Sequence, residues 1–388
     1  MKKIIGIALT TWALSVSANV IQFLSGLSFN NPALLTQVKQ NEFVLGTTIV
    51  GVNGKFKGSQ LNLMTFTPAF GESRTHATSF VPYGRAAQRI NDKWVFSFDV
   101  TEPFNSNLQW DRYAVTRYAA VDTILHDFDF SPKLAVQFND KLQLGAGINF
   151  SVLYNHLASW VMPTPGGDAL LANSSSSVGY GFNAGLNYLI TPMNQLGFTY
   201  YSRIRQRTEG YSQLGMVYSA PMQFHFNFPE TMLLSYLHIF NQKWLMNLQL
   251  IRTSWSANQV LTFSNTASVI NTFNFQMQFK DAYAGMIVIR HQFNDKWAMS
   301  LFGMVDDGPE RDHLRPLNFP SDVQYVGAVG AEYFFSKNTM VQVLAGGLYS
   351  NTMLGNTITI PGVGTRPFTQ GRVKFGAPFV DLRVKITA

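Results

Sequence analysis

A short polar turn recurs along this chain at nearly regular intervals. Each copy separates two runs in which apolar residues alternate with small or polar ones. The clearest copy is Phe293-Asn294-Asp295-Lys296-Trp297. Asn and Asp tolerate left-handed backbone angles and bond back to their own main chain, which suits a hairpin turn. From Trp297 onward two faces separate: Trp297, Met299, Leu301 and Val305 on one, Ala298, Ser300, Phe302 and Met304 on the other. A period of two marks a strand and not a helix. Asn91-Asp92-Lys93-Trp94, Asn139-Asp140-Lys141-Leu142 and Asn241-Gln242-Lys243-Trp244 are near copies, and Thr191-Pro192-Met193-Asn194 and Ser336-Lys337-Asn338 stand at equivalent places. The interval of about 40 to 55 residues accommodates two strands and one longer loop. Six turns join twelve strands, and one strand before and one after them predict about fourteen.

The environment of those strands follows from the start of the chain. Lys2-Lys3, an apolar run from Ile4 to Val16 and the small-residue site Val16-Ser17-Ala18 read as an export signal over residues 1–18. A membrane anchor is the alternative, but the run is short for one, and nowhere else do about twenty apolar residues run together. In the fifth strand, Leu142, Leu144, Ala146, Ile148, Phe150 and Val152 alternate with Gln143, Gly145, Gly147, Asn149 and Ser151. In a soluble sandwich the apolar face would be the core; in a membrane barrel it faces lipid. Export, a glycine-rich inner face and an even strand count favour an all-β, membrane-spanning antiparallel barrel over residues 42–388. Its surroundings are then outer-membrane lipid and lipopolysaccharide. Trp94, Trp244 and Trp297, each just after a short turn, would belong to the periplasmic aromatic girdle. The chain has no cysteine, which removes thiolate chemistry, and its Lys and Arg are not interleaved with aromatics as on a nucleic-acid surface.

Several segments break the pattern. Residues 19–41 do not alternate, yet they carry Ile21, Phe23, Leu24 and Leu27; they read as an irregular plug packed inside something, or as a tail. Residues 51–78 read as a long loop with its own possible strand extension, and 163–177 as a loop rich in Pro, Gly and Ser. Glu102-Pro103 interrupts the third strand, and because proline cannot donate to a ladder its neighbour must part from it or bulge there. At Phe228-Pro229-Glu230 the alternation loses phase, as at a bulge. A charged loop spans 306–321.

Candidate functional residues are few. Inward-facing Phe302, Phe334, Leu344 and Leu348, with Val326 and Met304, are apolar where a pore for polar solutes would carry charge. They form a route for a hydrophobic molecule, or they pack a plug and fill a narrow barrel. His156 and Lys280 are candidates for meeting a polar end group, with a structural role the simpler reading for Lys280. The seven histidines are scattered, and neither a His-Glu-x-x-His metal motif nor a Gly-x-Ser-x-Gly elbow is present. A barrel lipase with a Ser/His pair across strands is the enzymatic alternative, and an adhesive surface barrel the structural one; no cofactor is expected. Asp306-Asp307-Gly308-Pro309-Glu310-Arg311-Asp312 offers clustered carboxylates for calcium but not the spacing of a calcium loop, so a solvated tip is the simpler reading.

Four stretches resemble the FadL family of outer-membrane long-chain fatty acid transporters. Asn31-Pro32-Ala33-Leu34 is similar to the family's Asn-Pro-Ala motif in its N-terminal hatch. Asn227-Phe228-Pro229-Glu230 resembles its Leu-Pro-Glu segment. Thr253-Ser254-Trp255-Ser256 and Phe279-Lys280-Asp281-Ala282-Tyr283 match two further motifs, with Asp306-Asp307 and Pro309 following. The resemblance implies a fourteen-stranded barrel plugged by its N-terminal segment. It also implies a hydrophobic ligand bound near the extracellular side and a sideways exit at a kink in the third strand, here near Pro103, with Asn31, Pro32 and Ala33 close by. Three departures stand out: the segment before Asn31 is short, the C-terminus lacks a terminal aromatic, and the family's basic carboxylate-holding positions fall near Ser159 and Phe275. The expected function is therefore passive uptake of long-chain fatty acids, with aromatic or aliphatic hydrocarbons as the alternative cargo.

Overall fold

The structure, a computed structural model, describes residues 27–360 and 364–388, apart from the side chains of residues 155, 156 and 360. The export signal over 1–18 and the first part of the expected plug, 19–26, lie outside the described residues.

All six short turns close by one device. Asn91 Oδ1 accepts from the N–H groups of Lys93 and Trp94 at 2.9 and 3.0 Å, and Asn294 Oδ1 from those of Lys296 and Trp297 at 2.9 and 3.0 Å. Asn139 and Asn241 repeat the pattern. Ser336 Oγ takes the same two positions at 3.1 Å each, and Thr191 Oγ1 accepts from Met193 N at 3.2 Å. A side-chain acceptor thus satisfies the donors that a tight turn leaves free.

Between the turns run the strands β1 (Asn41–Leu61), β2 (Pro68–Arg89), β3 (Trp94–Gln109), β4 (Asp122–Gln137), β5 (Leu142–Thr164), β6 (Gly167–Thr191), β7 (Asn194–Tyr201), β8 (Ile204–Leu214) and β9 (Val217–Phe228). They continue with β10 (Thr231–Ile239), β11 (Trp244–Thr253), β12 (Val260–Ser264), β13 (Phe273–Gln276), β14 (Ala282–Gln292), β15 (Trp297–Asp306), β16 (Gln324–Phe334), β17 (Thr339–Ile360) and β18 (Gly364–Thr387). Every pairing is antiparallel, and β1 joins β18 from Glu42↔Thr387 to Gln60↔Thr369, so the sheet closes. The result is a closed barrel of fourteen strands, in which β8, β9, β12 and β13 are the outer halves of strands broken partway along. The breaks fall at residues 202–203, 229–230, 254–259 and 277–281.

Two expected loops are instead paired strand. Residues 51–61 and 68–78 extend the first hairpin, leaving 62–67 as its turn. Residues 163–177 are also not a loop: β5 and β6 pair out to Thr164↔Gly167, and Ser174 and Ser175 sit opposite Leu157 and His156. Backbone groups complete a ladder whatever small side chains they carry, so a serine-rich composition does not by itself end a strand. The chain turns only at residues 165–166, where Gly167 adopts φ 111°.

The faces sort as the alternation requires. Ile148 and Phe150 are exposed on the outside, and Asn149 and Ser151 are buried within. Trp94, Trp244 and Trp297 are exposed beside the short turns. Toward that end the lumen is polar: Asp99 binds Arg85 at 2.6 Å and Lys133 at 2.8 Å, Glu332 binds Arg290 at 2.8 Å, and Tyr83 donates to Asp381 at 2.7 Å. Further out it is filled by one large apolar cluster. Replacing Asn294 with Ala removes both acceptor bonds of one turn. Loss of about 1 kcal/mol is expected, read as a lower urea midpoint for folding into lipid vesicles, with the alternation of the barrel intact.

Candidate functional site

The segment after residue 26 enters the barrel and turns at Asn31. Asn31 Oδ1 accepts from Ala33 N at 2.9 Å, capping a short 3₁₀ turn over Pro32–Gln37 that begins with proline. Its Nδ2 donates to Leu186 O at 2.8 Å and to Phe198 O at 3.3 Å, so one side chain ties the turn to β6 and β7. Tyr201 OH donates to Asn30 O at 2.8 Å, and Arg89 Nε to Val38 O at 2.7 Å. The glycines of the inner face make this possible. A Cβ at Gly145 would strike the backbone of Pro32, and one at Gly185 the Asn31 side chain. Ala33 is wholly buried. Asn31, Pro32 and Ala33 are therefore together, against the wall.

Pro103 sits where β3 changes partners. Between β3 and β4 the register slips from Thr101↔Asp129 to Phe104↔Asp127, so Glu102 and Pro103 form the bulge. Toward β2 the ladder runs only from Arg89↔Val95 to Gly84↔Val100; beyond it one isolated bridge joins Thr75 and Trp110. Between those limits the strands are linked by side chains: Asn107 Nδ2 donates to Thr78 O at 3.1 Å, and Gln109 N to Thr75 Oγ1 at 3.1 Å. Both outcomes that a proline permits, a bulge and a parting, occur at the same place.

Phe104, just after this bulge, turns into the lumen. It stacks on Phe228 at 4.0 Å and meets Phe29 at 5.9 Å and Trp255 at 6.3 Å. The ring contacts continue outward through Phe226, Phe224 and Phe263 to Trp160 and Phe275. Aromatic side chains thus make a continuous run of ring contacts from the outer strand halves to the segment around Phe29. Phe302 and Leu344 belong to the same apolar cluster, with Leu348 packed against it. Phe334 does not: it lines a separate cavity of about 600 Å³ at the short-turn end, beside Leu34, Met340 and Arg383. Lys280 is engaged elsewhere, in an ion pair with Asp307 at 3.1 Å that joins its motif to the following loop. The His156 side chain lies outside the described residues. Alternation alone does not find Phe104, Phe228, Trp255 and Phe279. The signal for them is an aromatic residue beside each break in a strand, since a break frees a side chain from the in-and-out order.

The charged loop is not the solvated tip that its composition suggests. Asp306 and Glu310 are buried, Glu310 accepts from Ser321 Oγ, and Asp306 Oδ1 accepts from Gly308 N at 2.9 Å. Arg315 is buried and donates to Ser321 O at 2.6 Å and to Met353 O at 2.7 Å. The loop thereby holds Leu317 inside the apolar cluster and Phe319 against it. Among the described residues no group of three or more acidic or histidine side chains is placed to hold a metal. The two positions expected to hold a carboxylate are unsuited to one. Ser159 Oγ donates to Asp122 Oδ2 at 2.6 Å, and Phe275 packs 5.5 Å from Trp160.

A family model described as outer membrane protein transport protein (OMPP1/FadL/TodX) matches residues 12–352. The long-chain fatty acid transport protein of Escherichia coli (strain K12) is 23% identical over 359 residues, covering 81% of this chain and 79% of its own. Among solved structures, a Pseudomonas aeruginosa FadL homologue superposes with a TM-score of 0.81 at 19% identity, covering 92% of this chain and 93% of the other. The Pseudomonas putida toluene transporter TodX superposes with a TM-score of 0.67 at 14% identity, covering 96% and 97%.

Two outcomes follow from this geometry. Gly145→Val should leave the barrel assembled but displace the 3₁₀ turn, giving a severalfold rise in conductance across a planar bilayer. Gly285→Val, where a Cβ meets nothing, should leave conductance unchanged. Burial pushes the Glu310 carboxyl up to about 8 from its ordinary 4.5. The proton held in the docked loop therefore stabilises docking fully below about pH 4.5, and that stability is lost as pH rises through about 8. A bimane dye on Asn318→Cys should report loop release between pH 6 and 9, and Glu310→Gln should flatten the profile.

Proposed function

The chain belongs to the OMPP1/FadL/TodX family of outer membrane transport proteins, which are multi-pass channels for hydrophobic compounds and not enzymes, and from that premise we propose that it takes up uncharged long-chain compounds and releases them sideways between β2 and β3. The observation that carries this reading is the aromatic path that ends where the β2–β3 ladder stops. Each methylene moved from water onto such a surface gains about 0.8 kcal/mol. A chain of ring contacts offers many similar sites and no single deep one, which passive flux requires. The plug formed around Asn31, Pro32 and Ala33 blocks straight passage toward the polar end of the lumen, so the parting of β3 from β2 is the apolar way out.

Long-chain fatty acids are the second reading, favoured by the sequence relatives that carry that name. Against it stand Ser159 and Phe275, which supply no cation where a carboxylate would be held, and the acidic neighbour Asp122. Phe302, Leu344 and Leu348 would contact the cargo in either case. Phe334 would not lie on this path.

Uptake of labelled hexadecane, toluene and oleate by cells lacking their own transporter tests both readings. Hexadecane should enter faster than oleate and toluene; preferential oleate entry would move the assignment to fatty acids, and preferential toluene entry to small aromatics. Because the chain has no cysteine, Thr78→Cys with Asn107→Cys places one disulfide across the β2–β3 gap. Oxidation should stop uptake and reduction restore it. Undiminished uptake by the oxidised barrel would rule out the sideways route.

A further inference from the structure

The bulge that parts β3 from β2 carries a charged residue inside the membrane. Glu102 lies eight residues beyond Trp94 at the girdle. That places it roughly 20 Å above the girdle, within an apolar band about 25 Å tall, given ~3.3 Å per residue and the usual strand tilt. Its side chain is fully buried, as is that of Asn105. Glu102 Oε1 accepts from Asn105 Nδ2 at 2.6 Å and lies 2.8 Å from His126 Nδ1. By register Asn105 and His126 are neighbours, on the strand face opposite to lumen-facing Phe104 and Asp127. The His126 side chain is 30% exposed, so the cluster opens to the outside of the wall.

The cluster is half complete. Glu102 Oε2 and Asn105 Oδ1 are buried and have no donor among the described residues. On the lumen side of the same bulge, Asp127 Oδ2 and Asp129 Oδ1 also lack one. Buried acceptors without donors are costly where lipid provides no water, and ionisable groups at such depth mark functional sites. Every free position is an acceptor. A carboxylate anion is repelled there, whereas a hydroxyl supplies the missing donor.

We propose that Glu102 and Asn105, with His126 beside them, form an acceptor site in the barrel wall that binds the hydroxyl end of a long-chain alcohol as it leaves the lumen. This rests on the sideways route proposed above. The apolar tail stays on Phe104 and Phe228 while the end group reaches the bulge, so the site sorts cargo by its end and not by its length.

The test is binding of tritiated 1-hexadecanol, hexadecane and palmitate at pH 8 to the purified full-length barrel. Assembly of each variant is checked by heat-dependent migration on a gel. In the wild type, hexadecanol should outcompete palmitate. Glu102→Gln removes the charge and makes one acceptor a donor. It should weaken hexadecanol about tenfold, strengthen palmitate, and leave hexadecane unchanged. Asn105→Val removes the other acceptor and should weaken hexadecanol alone; it serves as the readout where Glu102→Gln does not assemble. An alcohol-to-palmitate ratio equal to the wild type's, or a parallel change in all three ligands, would overturn the site and leave Glu102 a structural residue. Cell uptake is scored separately: failure of every compound to enter counts against transport, while the binding ratio alone decides the site.

Discussion

A peptide group inside a bilayer has no water to bond, so the whole design rests on closing the backbone ladder. From Glu42↔Thr387 at one seam around to β18, antiparallel pairs meet that demand. Interruptions are correspondingly informative. Between β2 and β3 the ladder stops, and side chains take over: Asn107 reaches Thr78 O, and Thr75 accepts from Gln109 N. A bulge at proline leaves a stretch of the wall where β2 and β3 share no continuous backbone ladder.

The lumen is divided along its length. Ion pairs around Asp99 and Glu332 line the end near the short turns, where charges are satisfied by one another. Breaking such a buried pair leaves an uncompensated charge, typically costing about 3–5 kcal/mol, so this end is stiff. The outer part is lined by rings and aliphatic chains, which take up hydrophobic cargo at little reorganisation. The 3₁₀ turn after Asn31 sits between the two, fixed by hydrogen bonds to β6 and β7 and admitted by Gly145 and Gly185. That boundary separates the apolar part of the lumen from the charges.

Much of this is legible in the amino-acid sequence. The Asn-centred turns identify themselves because the residue that accepts two backbone donors must be Asn, Ser or Thr. The glycine-rich inner face of β5 was visible, though not that the missing side chains make room for Pro32. Phe302, Leu344 and Leu348 were found by alternation, and they do join the apolar cluster. Phe334 obeys the same alternation but lies too near the short turns to reach that cluster. Lys280, a candidate for a polar end group whose simpler reading is structural, gives its charge to Asp307, twenty-seven residues on. At 163–177 the expected loop is strand, and at 51–78 the possible strand extension takes most of the segment, because composition reports turn chemistry, whereas pairing depends on a partner strand being present.

By itself the sequence determined the strand count, the in-and-out order of the regular strands, the short turns and the proline that breaks β3. These follow from local physics: the period of a pleated strand, the acceptor geometry of a short side chain and the missing N–H of proline. Only the tertiary structure decided which aromatic rings touch, where β2 and β3 part, and that Glu102, Asn105 and His126 converge at that seam. Those are contacts between residues far apart in the chain or on different strands. The closure and register of the barrel bring them together, and no run of neighbouring residues encodes either one.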